Sequence, residues 1–107
     1  MALASTNTKA STINSTKTAL ETVVFELEIS NTFEEWSYQI DQSEADARKS
    51  AGVQLLYRGL KTNSLNRVII IHQAKKGVID RYISTQADTF TSNGSKMDTV
   101  VSQKYFY

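Results

Sequence analysis

The sequence predicts one α+β domain in which a four-stranded antiparallel sheet carries two helices on one of its faces. The chain has 107 residues, which is enough for a single small domain. Its apolar residues recur with strand and helix periods in the order β-α-β-β-α-β. Short connections and right-handed crossovers favour this sheet for that order, and they make the first and third strands central neighbours, which we expect to run parallel.

The N-terminal residues 1–21 differ in composition from the rest of the chain. They are rich in Ser, Thr, Asn and Ala, and they contain no acidic residue before Glu21. A secretory signal needs a continuous apolar segment, which this stretch lacks. We therefore expect residues 1–21 to form a disordered or extended tail and residues 22–107 to form the domain. An interaction arm or a targeting segment is the alternative for the tail.

The first strand is predicted from the alternation of residues 22–30. One face is apolar and contains Val23, Phe25, Leu27 and Ile29. The other face is mixed and contains Val24, Glu26, Glu28 and Ser30.

The first helix is predicted to begin after Thr32, because Thr32 and Glu35 form a capping box. Gly52 is predicted to end it. Glu44 and Arg48 have the spacing of a favourable i,i+4 ion pair. The apolar stripe of this helix consists of Phe33, Trp36, Ile40, Ala47 and Ala51.

The second and third strands are predicted over residues 53–60 and 67–74, joined by a polar turn. In the second strand, one face would contain Val53, Leu55 and Tyr57, and the other Gln54, Leu56 and Arg58. The two faces of the third strand would contain Val68, Ile70 and His72, and Ile69, Ile71 and Gln73.

A second helix is predicted from about residue 78 to residue 90, with a buried side formed by Ile79, Ile83, Ala87 and Phe90. Asn93 or Gly94 is expected to stop it in a left-handed conformation. A fourth strand is predicted over residues 98–107, where Tyr105 and Tyr107 would share one face and Phe106 would lie on the other.

The far face of the sheet is predicted to be an interface. Two helices cover only one face, yet the third strand is apolar on both, so Ile69, Ile71 and Leu56 would be exposed in a monomer. Burial of an aliphatic side chain contributes roughly 1.5–3 kcal/mol, and exposed apolar patches of this kind usually mark an interface. We therefore predict a homodimer that packs sheet to sheet about a two-fold axis.

Composition excludes several classes of function. The net charge is +1, so no strong field recruits nucleic acid or an anionic membrane. The chain has no cysteine and one histidine, which leaves no set of metal ligands. The sequence contains no phosphate-binding glycine loop, nucleophile elbow or apolar run long enough to span a bilayer. We expect a cytoplasmic protein without cofactor, metal, nucleic-acid partner or membrane association.

His72 is the first candidate for chemistry, because a histidine can act as a base or a ligand near neutral pH. As the sole histidine, at the end of a strand, it more commonly has a structural role. Trp36 and Tyr57 are aromatic residues that would wall a pocket around it, although Trp36 also fits the core stripe.

Glu26 is a second candidate, because a carboxylate on the mixed face must be paired, solvated or shifted in pKa. Pairing with Arg58 or Lys104, or solvation in a wet cleft, is the simpler interpretation. The alternative is that Glu26 is an acid or base lining a small pocket, between helix and sheet or between sheets, with Arg58 as a further candidate pocket residue.

Three segments carry a resemblance to a known family: NTFEEW after the first strand, LLYRG in the second and VIIIHQA in the third. The sequence resembles small cyanobacterial proteins of the DUF3764 family. More broadly it resembles the dimeric α+β barrel proteins, which include the antibiotic-biosynthesis-monooxygenase-like and the stress-responsive A/B-barrel groups. The resemblance implies a ferredoxin-like protomer and dimerisation. It implies no activity, because this fold hosts oxygenases, isomerases and plain binders.

Three functional hypotheses follow. The first is a non-enzymatic dimer that binds a small apolar ligand or has a stress-related accessory role. The second is a cofactor-independent oxygenase with a pocket walled by Trp36, Tyr57 and His72. The third is an assembly component whose N-terminal arm docks onto a larger complex. An enzyme would need a closed pocket of roughly 300 Å³ or more with convergent polar groups.

Overall fold

The computed structural model describes residues 19–107, so the predicted tail lies outside it except for its last residues. The element order β-α-β-β-α-β is confirmed. The elements are β1 (Leu20–Ile29), α1 (Phe33–Ala51), β2 (Gln54–Leu60), β3 (Arg67–Lys75), α2 (Val78–Ser92) and β4 (Ser95–Phe106). β1 and β4 begin earlier, and α2 ends later, than the sequence pattern predicts.

The four strands form one antiparallel sheet in the order β2-β3-β1-β4. β1 and β3 are central neighbours, as predicted, but they run antiparallel, so the predicted parallel pairing is wrong. The reason is the hairpin between β2 and β3. The chain returns from α1 into β2 in the direction of β1, and the following turn reverses it before β3.

The core lies between one face of this sheet and the two helices, which is the ferredoxin-like arrangement. The predicted apolar face of β1 is buried along its whole length. From the helices, Trp36, Ile40, Ile79, Tyr82 and Phe90 pack onto it. Ala51 is exposed, so the predicted stripe of α1 ends before this residue.

The caps that the sequence predicts for α1 are present. The hydroxyl of Thr32 accepts the amide N–H of Glu35 at 3.1 Å, and Gly52 ends the helix with a φ of 78°. After α2, it is Gly94 that takes the left-handed conformation, with a φ of 101°. The side chain of Asn31 occupies the space where a Cβ at position 94 would lie. The loop before α1 and the turn before β4 are therefore packed against each other.

A β-bulge in β2 changes which residues share a face. Leu55 opposes His72, whereas Tyr57 opposes the residue before it on β3, so Leu56 is an extra residue without a partner. An extra residue reverses the alternation of the side chains that follow. Tyr57 therefore lies on the face away from the helices and Arg58 on the helix side, and the predicted shared face of Leu55 and Tyr57 is wrong.

A second β-bulge lies in β4, next to the core. One residue of β1 opposes the four residues Met97–Val100 of β4. The side chain of Thr99 replaces the missing ladder bonds. Its Oγ1 accepts the amide N–H of Glu28 at 2.9 Å and donates to the carbonyl of Lys96 at 2.6 Å. Both end residues of this bulge face the space between the sheet and the helices.

Candidate functional site

A cavity of about 40 Å³ lies between the helices and the sheet. Eleven of the described residues line it, and nine of these are apolar; the two polar ones are His72 and Ser95. The Ser95 hydroxyl already accepts the indole N–H of Trp36 at 2.9 Å. The partly buried side wall, between α2 and β4, consists of Ile83, Met97 and Val100. The volume is far below the roughly 300 Å³ expected for a substrate-sized pocket, so only a few atoms fit without movement of a wall.

His72 projects from β3 into this layer and is 2% exposed. Its ring is held edge-on between two aromatic rings, with centroid distances of 5.8 Å to both Phe25 and Tyr82. Neither ring nitrogen has a hydrogen-bond partner among residues 19–107. Within these residues, aromatic packing alone therefore orients the imidazole, and both of its nitrogens are unpaired but fully buried, so a ligand reaches them only when a neighbouring side chain moves.

The burial of His72 determines its charge. Loss of solvent around the ring, with a smaller contribution from the positive charge of Arg48, lowers the pKa of His72 to about 4. At neutral pH the side chain is therefore an uncharged imidazole with one N–H donor and one nitrogen acceptor.

Beside His72 lies a buried polar pair that the sequence pattern does not identify. Glu44 of α1 is 0% exposed, and its Oε1 accepts the Tyr82 hydroxyl at 2.6 Å. The second carboxylate oxygen, Oε2, has no partner within the part of the chain that the structure describes. Burial and the bond to Glu44 raise the pKa of Tyr82 above its ordinary value.

The predicted ion pair between Glu44 and Arg48 is therefore wrong. Glu44 points into the core, and the guanidinium of Arg48 lies 3.9 Å from the carboxylate of Asp41 instead. The sequence did contain a signal: position 44 falls between Ile40 and Ala47 on the predicted apolar stripe. A carboxylate on such a stripe needs a buried partner, which Tyr82 supplies.

The structure separates the five predicted pocket residues. His72 and Trp36 line the cavity together. Tyr57 and Glu26 lie on the opposite face of the sheet, because the β2 bulge turns Tyr57 outward and Glu26 is on the mixed face of β1. Arg58 is on the helix side but does not line the cavity. Both of its terminal nitrogens donate to Asp41 of α1, at 2.8 and 2.9 Å, and this guanidinium lowers the pKa of Asp41.

The face of the sheet away from the helices, here called the open face, has an apolar half. Ile69, Ile71 and Val24 lie on it at the centre of the sheet and are partly buried. Tyr57, Val101 and Tyr105 flank them and are 57%, 57% and 55% exposed. Leu56, the third predicted interface residue, is the unpaired residue of the bulge and is also exposed.

The other half of the open face is a set of ion pairs. Arg67 Nε lies 2.6 Å from Glu26 Oε2, and Lys61 lies 3.4 Å from the same oxygen. Glu28 contacts Arg67 and Lys96, each at 3.6 Å. The predicted pairing of Glu26 with Arg58 or Lys104 is therefore wrong: nearer cations on β3 and the β2–β3 turn bind it. The hydrogen bond from Arg67, followed by that from Lys61, lowers the pKa of Glu26, which makes it a poor general acid.

Within residues 19–107, no helix is both long enough and apolar enough to cross a membrane. The same residues contain no cluster of three or more His, Cys, Asp or Glu side chains placed to hold a metal ion.

Comparison with known proteins identifies a family and a shared fold. Residues 20–107 match the family described as domain of unknown function DUF3764. No curated protein matches the chain.

Among solved structures, a Shewanella oneidensis protein is similar with a TM-score of 0.55 and 11% identity over 84% of this chain and 91% of that one. A dimeric ferredoxin-like protein from an uncultured marine organism has a TM-score of 0.50 and 13% identity, covering 83% and 94%. SnoaB, a cofactor-independent oxygenase from Streptomyces nogalater, has a TM-score of 0.50 and 9% identity, covering 82% and 90%. At such identities these similarities show the fold alone, and they confirm the ferredoxin-like assignment.

Proposed function

Because the chain belongs to the DUF3764 family, whose description assigns no activity, we propose a function from the site itself. The protein is a cytoplasmic homodimer that binds a small, largely apolar molecule in the cavity between its helices and its sheet, without converting it chemically.

The observation that supports ligand binding is His72 in the wall of a cavity whose other described lining residues are apolar, apart from Ser95, which is already paired with Trp36. A buried polar group without a hydrogen bond is unfavourable by about 1–3 kcal/mol, and buried polar groups in folded proteins are rarely left unpaired. Both nitrogens of His72 lack a partner among the described residues, although the ring is fixed in place. A ligand with a polar group at His72 and an apolar body against the surrounding side chains would satisfy this site.

The dimer is supported by the open face. Three large side chains on it are more than half exposed, next to isoleucines at the centre of the sheet. Their burial against a second copy would remove this apolar surface from water. The ion pairs at the other end of the face supply a polar border that can pair across a two-fold axis. A dimeric ferredoxin-like protein among the solved structures with this fold is consistent with such an assembly.

A second candidate function is cofactor-independent oxygenation, because the fold is shared with SnoaB and a histidine lines the cavity. Such chemistry needs a base whose pKa is near the working pH. His72, with a pKa of about 4, is a weak base, and this favours binding over turnover. The hypothesis of an assembly component rests on the N-terminal arm, which lies outside the described residues.

Xenon is the direct probe of the cavity, because it binds apolar cavities without hydrogen bonds. We expect xenon to shift the methyl resonances of Ile40, Ile83 and Met97 in the NMR spectrum, and not that of Leu65, which is exposed in the β2–β3 turn. Absence of shifts at the cavity methyls would contradict the proposed ligand site. Oxygen consumption with a recovered, altered ligand would instead favour the oxygenase.

Sedimentation equilibrium tests the dimer separately. We expect the wild-type chain to sediment as a dimer at micromolar concentration, and Ile71→Lys to sediment as a folded monomer. Leu65→Lys is the matched control, because it adds the same charge at an exposed position away from the open face. A wild-type monomer would contradict the proposed assembly.

A further inference from the structure

We infer that the cavity selects a small neutral molecule that carries a hydroxyl group on a compact apolar body, with this hydroxyl hydrogen-bonded to His72. The inference rests on the proposed function, because it specifies the ligand class of the same cavity. It follows from what holds His72, from its charge and from the side chains around it.

The first step is that no interaction holding His72 within the described part of the chain uses its nitrogens. Phe25 and Tyr82 contact the ring edge-on, at interplanar angles of 70° and 77°. Tyr82 is itself fixed, because its hydroxyl donates to Glu44 and its ring packs edge-on against Phe90. The imidazole is therefore presented in one orientation, with hydrogen-bonding capacity that protein groups within residues 19–107 leave unused.

The second step is the chemistry that a neutral imidazole recognises. It exists as two tautomers, so a given ring nitrogen is either an N–H donor or an acceptor. A hydroxyl can both donate and accept, and it can therefore pair with either tautomer. A carboxylate only accepts and an ammonium group only donates.

The third step excludes charged ligands. No charged side chain lines the cavity in the described part of the chain, so an ion there would lose its hydration without a partner. The positive charge that acts on His72 comes from Arg48, and Asp41 lies 3.9 Å from that guanidinium. Glu44, the buried carboxylate bound by Tyr82, does not line the cavity either, so neither a carboxylate nor an ammonium ion has an ion-pair partner among the described lining residues.

The fourth step concerns size. A cavity of about 40 Å³ exceeds the space needed for one water and holds a few heavy atoms. Its side wall includes Met97, which is partly buried and belongs to the β4 bulge. An unbranched thioether side chain adapts readily, so a body of about four heavy atoms can be admitted by movement of this residue.

The test compares three probes of matched size: 2-propanol, acetate and isopropylammonium. Each is titrated into the full-length protein while the cavity methyls are followed by NMR. We expect 2-propanol to bind at least about tenfold more tightly than either ion. Because the chain has a single histidine, long-range ¹H–¹⁵N spectra of the wild type report its ring nitrogens directly, and we expect one of them to shift on binding 2-propanol.

His72→Phe keeps an aromatic ring between Phe25 and Tyr82 but removes both nitrogens. We expect it to weaken the binding of 2-propanol by about threefold to tenfold, as for the loss of one hydrogen bond, and to change xenon affinity by less than about twofold. Tyr38→Phe, which removes a hydroxyl from an exposed side chain of α1 that does not line the cavity, is the matched control and should change neither.

The outcomes separate the two proposals. Any of three results would overturn the hydroxyl inference while the cavity site stands. Acetate binds more tightly than 2-propanol, the ring nitrogens of the wild type do not shift at saturation with 2-propanol, or His72→Phe weakens the binding of xenon and of 2-propanol equally. Failure of xenon to bind the wild type would overturn the proposed function and this inference together. The wild-type nitrogen shifts decide the matter even if the variant does not fold.

Discussion

Lowering the pH should destabilise this protein through His72, and the size of the effect follows from its burial. An unfolded histidine has a pKa of 6.5, and burial lowers the folded value to about 4. Between these values the unfolded chain binds a proton that the folded chain does not, so the free energy of unfolding falls as the pH falls. From about pH 7.5 to about pH 4.5, a pKa difference of this size removes roughly 2.5 kcal/mol.

Urea denaturation at the two pH values measures this loss of stability. Comparison with His72→Phe separates the contribution of His72 from that of the carboxylates, which also titrate in this range. The difference in the free energy of unfolding between wild type and variant should change by roughly 2–3 kcal/mol across the window, in favour of the variant at low pH. The single histidine also allows its folded pKa to be measured by NMR. A folded pKa near 6.5, or parallel pH profiles for the two proteins, would refute the conclusion that His72 is buried without a partner among residues 19–107.

Three further predictions concern stability. Glu44→Leu and Tyr82→Phe should each destabilise the fold by about 1–3 kcal/mol in urea denaturation, and the double variant should recover much of the loss, because neither partner is then left unpaired; additive losses would show that the bond does not matter. Gly94→Ala should lower the melting temperature more than Gly52→Ala, because both positions have positive φ but only at position 94 is the space of the new Cβ already occupied; equal shifts would contradict this packing. Thr99→Val should speed hydrogen exchange of the Glu28 amide, whose N–H donates to the Thr99 hydroxyl, whereas Thr99→Ser should not; unchanged protection of this amide in the valine variant would show that the hydrogen bond does not hold the bulge.

Local patterns predicted the elements and the caps, because those features depend on neighbouring residues. The alternation in β1 is strict, and tertiary packing buried the face that it identified. Thr32, Glu35 and Gly52 predicted both ends of α1, because capping is determined within a few residues of the chain.

The strand direction and the side-chain faces after the bulges depend on long-range pairing, which periodicity does not contain. Strict alternation placed Leu55 and Tyr57 together, yet one extra residue between them moved Tyr57 to the opposite face. The same mechanism explains why β4 was predicted to begin too late. Its bulge at Met97–Val100 interrupts the alternation, so the sequence pattern did not identify residues 95–97 as the start of the strand. The β2 bulge therefore separates Tyr57 from His72, whereas Glu26 is separated from it by its place on the mixed face of β1.

The partner of Glu44 was predicted wrongly and the role of His72 was left open for a related reason, and these two residues determine the polarity of the site. A carboxylate or an imidazole on an apolar face is acceptable only if another element supplies its partner, and sequence spacing cannot show whether it does. The structure gives different outcomes: Tyr82 reaches Glu44, while no protein group among residues 19–107 reaches the nitrogens of His72. Tyr82 touches both residues, using its hydroxyl for one and its ring for the other. Tyr82 of α2 thus hydrogen-bonds one carboxylate oxygen of Glu44 on α1, and its ring holds the His72 imidazole in place without hydrogen-bonding it. Because both nitrogens of His72 are left unpaired within residues 19–107, a hydrogen bond to His72 is where a ligand gains the most binding free energy.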